Sequence, residues 1–458
     1  MIQISTFTLS FLCLIVPLSA EDQRDAESPR PNIILILADD LGYGDPGCYG
    51  GTLVPTPHID SLARDGVRFT NAYVTAPVCG PSRCGLMTGS YNQRFGCQWN
   101  EDEFPKSAYV IPPGHLTLPE ALRADGYFTG HLGKWNLTRN ATTAFDEIKD
   151  LIGFEADYFP NAIGHYQGVD EKERKNSGKI QGVTGPERPG DEYLTDRIGR
   201  HAVEFIKKQK NEKKPFFLNV GFNAPHSPFH AKKSLLEKYG HLRPEPLNFY
   251  AAMVASMDEN IGLILAALKE NGLQTNTLVV FTSDNGPTGP LRIGWLPNWR
   301  TDMIVGSAEP LTGKKGGFQE GGIREPYILR WPGKLEGGQI YEQPVSTMDL
   351  YPTLCAAAGA SIPSATHLNG VNLLPFLSGE KAGAPHAFLF WKKDDLGAVR
   401  SGNWKLLIHG GKIQLFNLKQ DIRESNDLAT IHPDITAKLL KTFDGWSAGL
   451  PPRSNPMK

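Results

Sequence analysis

Asn32-Ile33-Ile34-Leu35-Ile36-Leu37-Ala38-Asp39-Asp40 decides the fold. From Ile33 to Ala38 the run offers no polar face, so it suits a strand covered on both sides, as in a parallel sheet sandwiched between helices. It then stops abruptly at two carboxylates. The pattern repeats along the chain. Phe216 to Phe222 ends in Asn223-Ala224-Pro225-His226, and Leu278-Val279-Val280-Phe281 ends in Thr282-Ser283-Asp284-Asn285-Gly286. Tyr127 to Leu132 leads into Gly133-Lys134-Trp135. Helical signals separate these runs. Thr117-x-x-Glu120 forms a capping box with Pro119 in the first turn and Gly126 past the end. Tyr193 to Lys210 and Leu247 to Asn271 carry apolar residues at helical spacing, the latter closed by Gly272. The alternation predicts an α/β fold with a large, mostly parallel sheet flanked by helices. Ligands of such sheets gather outside the carboxyl ends of the strands, where these polar residues fall.

The remainder of the chain bounds the possibilities. Its 458 residues carry 47 basic and 49 acidic side chains, a net charge of −2 that argues against a nucleic-acid partner. A 40% hydrophobic content fills a large core. Phe7 to Val16 is almost wholly apolar, Pro17 breaks it, and Leu18-Ser19-Ala20 precedes the acidic Glu21-Asp22, so residues 1–20 read as an export signal. The run falls short of the roughly 20 residues a spanning helix needs and no later stretch is expected to qualify, so no stable membrane insertion is expected. The mature protein is expected in a periplasm or secreted, a short uncleaved anchor or a misassigned start being the alternatives. Removing the signal takes Cys13 and leaves Cys48, Cys79, Cys84, Cys97 and Cys355. An odd set in an exported protein requires that one thiol be unpaired or chemically special, while the pairing of the others stays open. Ser378 to Pro385, rich in Gly and Ala, marks a boundary between a catalytic domain at 21–380 and a small C-terminal α+β subdomain at 386–458. The latter shows β signals at Ala398–Ile408 and Gln414–Leu418 and a helix near Ile435–Trp446.

Asp39-Asp40 and Asp284-Asn285 are two pairs of hard oxygen ligands at strand ends, suited together to one Ca²⁺ or Mg²⁺. Either pair alone also suits a strand-to-helix cap. Cys79-Gly80-Pro81-Ser82-Arg83 continues as Cys84-Gly85-Leu86-Met87-Thr88-Gly89. Pro81 fits a first helical turn, which puts Cys79 at a helix N-terminus that lowers a thiol pKa and receives an anion. A buried structural cysteine is the competing reading.

Cys79-x-Pro81-Ser82-Arg83 with Thr88-Gly89 closely resembles the signature of the type I, formylglycine-dependent sulfatases of the alkaline phosphatase-like superfamily. Pro31 to Gly42, Gly133-Lys134-Trp135, Ala224-Pro225-His226, Ser283 to Gly286, Lys315-Gly316 through Glu320-Gly321-Gly322, and the C-terminal Gly402 to Leu406 and Leu415 to Leu418 follow in family order. The resemblance implies that a maturation enzyme oxidises Cys79 to Cα-formylglycine. One hydroxyl of its hydrate would attack sulfur in line, and the second would expel sulfate as the aldehyde re-forms, a step closed to a thiol or simple alcohol. It implies a cation, Ca²⁺ or alternatively Mg²⁺, held by Asp39, Asp40, Asp284 and Asn285. Arg83 would sit over the modified residue, Lys134 and Lys315 would bind sulfate oxygens, and His226 would protonate the leaving alcohol. Lys315 is preferred to Lys314 for its spacing to Glu320. His131 and His230 read as satisfied loop histidines.

Two positions depart from the family. Asn136 stands where a histidine usually follows Gly-Lys-Trp, and an amide cannot accept a proton near neutral pH. Ser90 stands where a basic residue often closes the signature. Asn136-Leu137-Thr138 and Asn140-Ala141-Thr142 are chance sequons on this reading, since glycan at Asn136 would block the pocket. Pro287 to Pro310, with Arg292, Trp295, Trp299 and Arg300, suits either a sulfated sugar or packing of the loop onto the domain, and Gln98 to Lys106 with Trp99 is expected to form a second rim. The expected activity is hydrolysis of sulfate monoesters, on a sulfated small molecule or glycan. The alternatives are a phosphate or phosphonate monoester hydrolase of the same superfamily, and a catalytically weak sulfated-glycan binding protein.

Overall fold

The computed structural model describes residues 30–453 apart from 101–110, 113, 138–139, 154–155, 157, 160–191, 243–244, 289–304 and 365. The export signal, the acidic part of Gln98–Lys106, and Arg292, Trp295, Trp299 and Arg300 lie outside the described residues. In chain order the strands of the larger part are β1 (Asn32–Ala38), β2 (Val67–Phe69), β3 (Ala72–Tyr73), β4 (Phe128–Lys134), β5 (Glu147–Ile152), β6 (Phe216–Gly221), β7 (Thr277–Ser283), β8 (Tyr327–Arg330), β9 (Gln339–Tyr341) and β10 (Val345–Ser346). Eight of them form one sheet in the order β5-β4-β6-β1-β7-β8-β2-β9, and β3 pairs with β10. Within the large sheet only β8 runs against its neighbours.

The apolar run that opens this sheet behaves as a strand covered on both faces. Ile34, Ile36 and Ala38 face one core with helices Leu194–Gln209 and Glu245–Glu270, whereas Ile33, Leu35 and Leu37 face another with helices Leu118–Ala124 and Leu350–Ala358. Leu247–Glu270 is long and apolar enough to cross a membrane, yet most of it is packed inside the first of these cores. The expected capping box is present at the helix that starts after Thr117, where Glu120 Oε2 accepts from the Thr117 backbone N–H at 2.7 Å.

The register levels the strand ends. Ala38 of β1 lies opposite Ser283 of β7, and Leu37 lies opposite Gly221 of β6, which in turn pairs with Gly133 of β4. Asp39-Asp40, Asp284-Asn285, Lys134 and the Asn223–His226 turn therefore leave the sheet along one edge.

Past the larger part, β11 (Leu389–Lys393), β12 (Leu396–Ser401), β13 (Trp404–His409) and β14 (Lys412–Asn417) form an antiparallel meander covered by helix Pro433–Ala448. Trp391, Val399, Leu406 and Leu415 pack with Leu439 and Phe443 of that helix, and Tyr73, Val74, Ile323 and Met348 of the larger part join the same cluster. The first of these strands was not expected from sequence. All five cysteines among the described residues are free thiols.

One reading is corrected. His131 is not in a loop but in the middle of β4, fully buried. Asn219 Nδ2 can only donate, so His131 Nδ1 accepts from it at 2.9 Å and Nε2–H donates to Gly133 O at 3.1 Å. Burial pulls this imidazole down to about 3. Between pH of about 6.5 and about 3 the unfolded chain takes up a proton that the folded one refuses, so the stabilisation is present above about 6.5 and lost as pH falls. His131→Gln should abolish this slope. In urea unfolding at a series of pH values, the stability gap between wild type and variant should be widest above pH 6.5 and narrow on acidification. A gap independent of pH would contradict it.

Candidate active site

Helix Cys79–Thr88 starts on Cys79 and runs beneath the strand ends. One helical turn separates Cys79 from Arg83, so both side chains face the same edge. Arg83 is 2% exposed. Its Nε and Nη2 lie 2.9 and 2.8 Å from Asp284 Oδ2, and Nη1 donates to Lys134 O at 2.9 Å. It therefore ties the end of β7 to the end of β4.

Lys134 reaches the site through a bulge. The β4–β5 register shifts between Leu132 and Lys134, and Gly133 between them has φ 84°, where a Cβ would come 2.1 Å from Gly221 O. Only glycine fits there, and the bulge re-aims the next side chain. Lys134 Nζ meets Asp39 Oδ2 at 2.5 Å with both groups fully buried.

Consecutive extended residues would point Asp39 and Asp40 to opposite faces. Asp40 has φ 67°, a left-handed conformation in which aspartate is among the better-tolerated side chains, and this turns both carboxylates into one site. Asp40 N–H donates to Asp284 Oδ1 at 3.2 Å, and Asn285 Nδ2 donates to Asp40 Oδ1 at 2.7 Å. Lys315 Nζ lies 2.6 Å from Asp40 Oδ1 and 3.1 Å from Cys79 Sγ. Cys79 Sγ is 3.5 Å from Asp39 Oδ1. Ligand atoms of Asp39, Asp40, Cys79 and His226 lie within 4.8 Å of one another.

His226 Nδ1 donates to Ser227 O at 2.6 Å, which leaves Nε2 turned to the site, 3.7 Å from Asp40 Oδ2. Tyr158, which sequence reasoning did not single out, fixes this turn by donating to Asn223 O at 2.7 Å and His226 O at 2.8 Å. A lone tyrosine far along the chain carries no local signal of that role.

Burial would raise the carboxyls of Asp39 and Asp40, but the ammonium groups of Lys134 and Lys315 respectively, together with His226, hold both below the usual carboxylate range. Of the two readings of Cys79, the activated thiol and the buried cysteine, the surroundings match the second. Burial pushes its thiol well up, outweighing Lys134 and Lys315, so the helix N-terminus does not yield a thiolate. Burial likewise lowers His230, to about 4. Its Nδ1 has no hydrogen-bond partner, so the expectation of a satisfied histidine is not met there.

Nine of the ten residues named from sequence at this site, all but Asn136, are joined by these contacts. Asn136, 6% exposed, follows Lys134 by two positions with φ 52°, too buried in the fold to carry a glycan. Asn140 is exposed and its Oδ1 accepts from Thr142 N–H at 3.0 Å as a helix cap. Ser90 is buried and bonds His367 O at 2.5 Å.

A Sulfatase family model matches residues 31–360. Dog N-acetylgalactosamine-6-sulfatase is 34% identical over 412 residues, covering 86% of this chain and 74% of the relative. Mouse steryl-sulfatase is 31% identical over 448 residues, covering 81% and 69% respectively. Among solved structures, Ps i-CgsB in complex with k-i-k-neocarrahexaose superimposes with a TM-score of 0.79 at 34% identity, covering 93% of this chain and 94% of that one. A parallel sheet whose edge gathers these charges, a family match across most of the chain and relatives of this identity lead to one conclusion: the chain belongs to the sulfatase family.

Proposed function

We propose that this sulfatase releases sulfate from a sulfated carbohydrate, with formylglycine formed from Cys79 as the nucleophile and a Ca²⁺ ion, or alternatively Mg²⁺, beside it. The observation that carries the reading is the setting of Cys79 Sγ, 3.1 Å from Lys315 Nζ and 3.5 Å from Asp39 Oδ1. A buried, protonated thiol is a poor nucleophile there, whereas an oxygen built on the same Cβ has an acceptor and an ammonium within reach. The donor set also fits a hard cation. Asn285 Oδ1 is buried without a hydrogen-bond partner although Nδ2 of the same amide is used, beside the carboxylates of Asp39, Asp40 and Asp284. Those four residues would hold the ion, which supplies charge to polarise the ester and favour an ionised nucleophile.

The remaining roles follow from the side chains. Lys134 and Lys315 carry ammonium groups to the anion, and Arg83 holds Asp284 and the end of β4 in place. His226 donates its Nδ1–H to Ser227 O, so in the imidazolium form it is Nε2–H that faces the site and passes its proton to the leaving alcohol. A carbohydrate substrate is supported by the carrahexaose bound to the 34% identical Ps i-CgsB. We also read residues 1–20 as an export signal, 21–380 as the catalytic domain and 386–458 as the small subdomain, with a maturation enzyme acting on Cys79 and a periplasmic or secreted location.

Mass spectrometry of the Cys79 peptide from a maturation-competent host should find the aldehyde, and Cys79→Ala should reduce sulfate release to background. A persistent thiol in fully active enzyme would refute the mechanism, and faster hydrolysis of aryl phosphate than of aryl sulfate would favour a phosphate or phosphonate hydrolase. Ca²⁺ should raise the Tm of the wild type, by about 2.7 kcal/mol in stability at 100-fold excess over Kd, and raise that of Asn285→Leu much less. Equal shifts would remove Asn285 from the cation site. If the missing base limits turnover, Asn136→His should raise kcat by about tenfold or more. Unchanged kcat would mean that another group already serves.

A further inference from the structure

Lys315 lies in a stretch, 305–319, with no helix or strand of its own. Backbone contacts hold it instead. Lys315 N–H donates to Pro287 O at 3.0 Å, Gly316 N–H to Pro77 O at 2.8 Å, and Gly321 N–H to Thr312 O at 2.7 Å. Gly321 and Gly322 form the abutment. A Cβ on Gly322 would come 2.2 Å from Gly317 O, and one on Gly286 would come 2.0 Å from Gly321 O. The backbone after Glu320 thus presses on the loop that carries Lys315 and on the turn that carries Asp284 and Asn285.

What fixes Glu320 comes from the other subdomain. Its Oε1 meets Lys405 Nζ of β13 at 2.8 Å, and its backbone N–H donates to Glu424 Oε2 at 2.7 Å. Glu424 Oε1 lies 3.0 Å from the same Lys405 Nζ. Glu424, past the end of β14, takes φ 55°, a left-handed conformation that is strained for an ordinary side chain. On the larger part, Tyr73 OH donates to Glu320 Oε2 at 2.5 Å and Arg324 Nη1 lies 3.2 Å from it. Glu320 and Lys405 are wholly buried. Without the Lys405 ammonium, Glu424 and Glu320 Oε1 would lose their shared cation, and the guanidinium groups of Arg324 and Arg400, 3.2 and 3.8 Å away, would compensate Glu320 Oε2 alone, an imbalance relieved by moving Glu320 or admitting water. Either response shifts the glycine abutment.

We infer that Lys405 and Glu424 are positioning residues for Lys315: the C-terminal subdomain clamps Glu320 and so sets where the Lys315 ammonium stands relative to residue 79 and Asp40. The inference rests on the reading above that Lys315 binds the sulfate group.

A double-mutant cycle on the matured full-length enzyme tests it, with an aryl sulfate as substrate and rates normalised to aldehyde content. Lys405→Met should lower kcat by about tenfold or more in the wild type but by less than about threefold in a Lys315→Ala background. Glu424→Gln keeps shape and a bond to the Glu320 N–H while losing charge, so it should give a smaller loss with the same coupling, and it serves where Lys405→Met does not fold. Leu439→Ala, in the core of the same subdomain, should lower Tm yet change normalised kcat by less than about twofold. Losses that simply multiply in the double variant, or a Leu439→Ala loss as large as that of Lys405→Met, would overturn the clamp and leave Lys315's role standing. Full activity in Lys315→Ala would instead overturn the reading on which it rests.

Discussion

Three buried carboxylates meet three cations at one edge of the sheet, as the pairs Asp39–Lys134, Asp40–Lys315 and Asp284–Arg83, with Lys134 and Arg83 buried and Lys315 17% exposed. None of these carboxylates is more than 1% exposed, so each is tolerable only because its partner is in place. Breaking one pair leaves a charge in a low dielectric, which typically costs about 3–5 kcal/mol. The surrounding geometry serves this matching. Level strand ends bring the aspartates together, the Gly133 bulge turns Lys134 inward, and the left-handed Asp40 lets two successive carboxylates share a face. Arg83 then joins the ends of β7 and β4, so no pair moves independently of the next.

Much of the scaffold was legible because its cause is local. The run from Ile33 to Ala38 has no polar face, and that alone implies cover on both sides. The aspartates stand immediately after such runs, so their common edge follows from the topology of parallel strands. Other features depend on partners distant in sequence. Tyr127 to Leu132 already reads as a strand, so a loop assignment for His131 conflicts with its own run, and what stays hidden in the sequence is the buried partner, Asn219 on the neighbouring strand, that satisfies its ring. Strand β11 follows a Gly- and Pro-rich stretch that obscures its start. The state of the Cys79 thiol stayed open between two readings for a related reason. A helix N-terminus can be read from Pro81, but the desolvation that overrides it comes from segments far along the chain.

The clamp around Glu320 belongs to this second class. Glu320, Lys405 and Glu424 are spread over more than a hundred residues, and each alone is an ordinary surface residue by type. Their burial also explains why the meander is not a separate body. Its ion pairs and the shared cluster of Tyr73, Ile323, Trp391 and Leu406 lie at the same junction, so polar and apolar contacts fix one docking geometry.

Charge accounting connects the scaffold to the proposed chemistry. Three carboxylates set against Arg83, Lys134 and Lys315 leave the side chains of the site close to neutral. A neutral set offers an anionic ester little net attraction, whatever its individual lysines contribute. Replacing any carboxylate to free a lysine would leave the paired cation buried alone, so the positive excess cannot come from within the set. On the proposed reading it comes from a bound dication: sharing Asp39, Asp40 and Asp284 with a metal weakens their hold on Lys134 and Lys315, and those ammonium groups become available to sulfate oxygens. Cation binding and anion binding would then be one coupled event, and Asn285, neutral on that reading, would serve as a ligand without adding the further negative charge that would undo the excess.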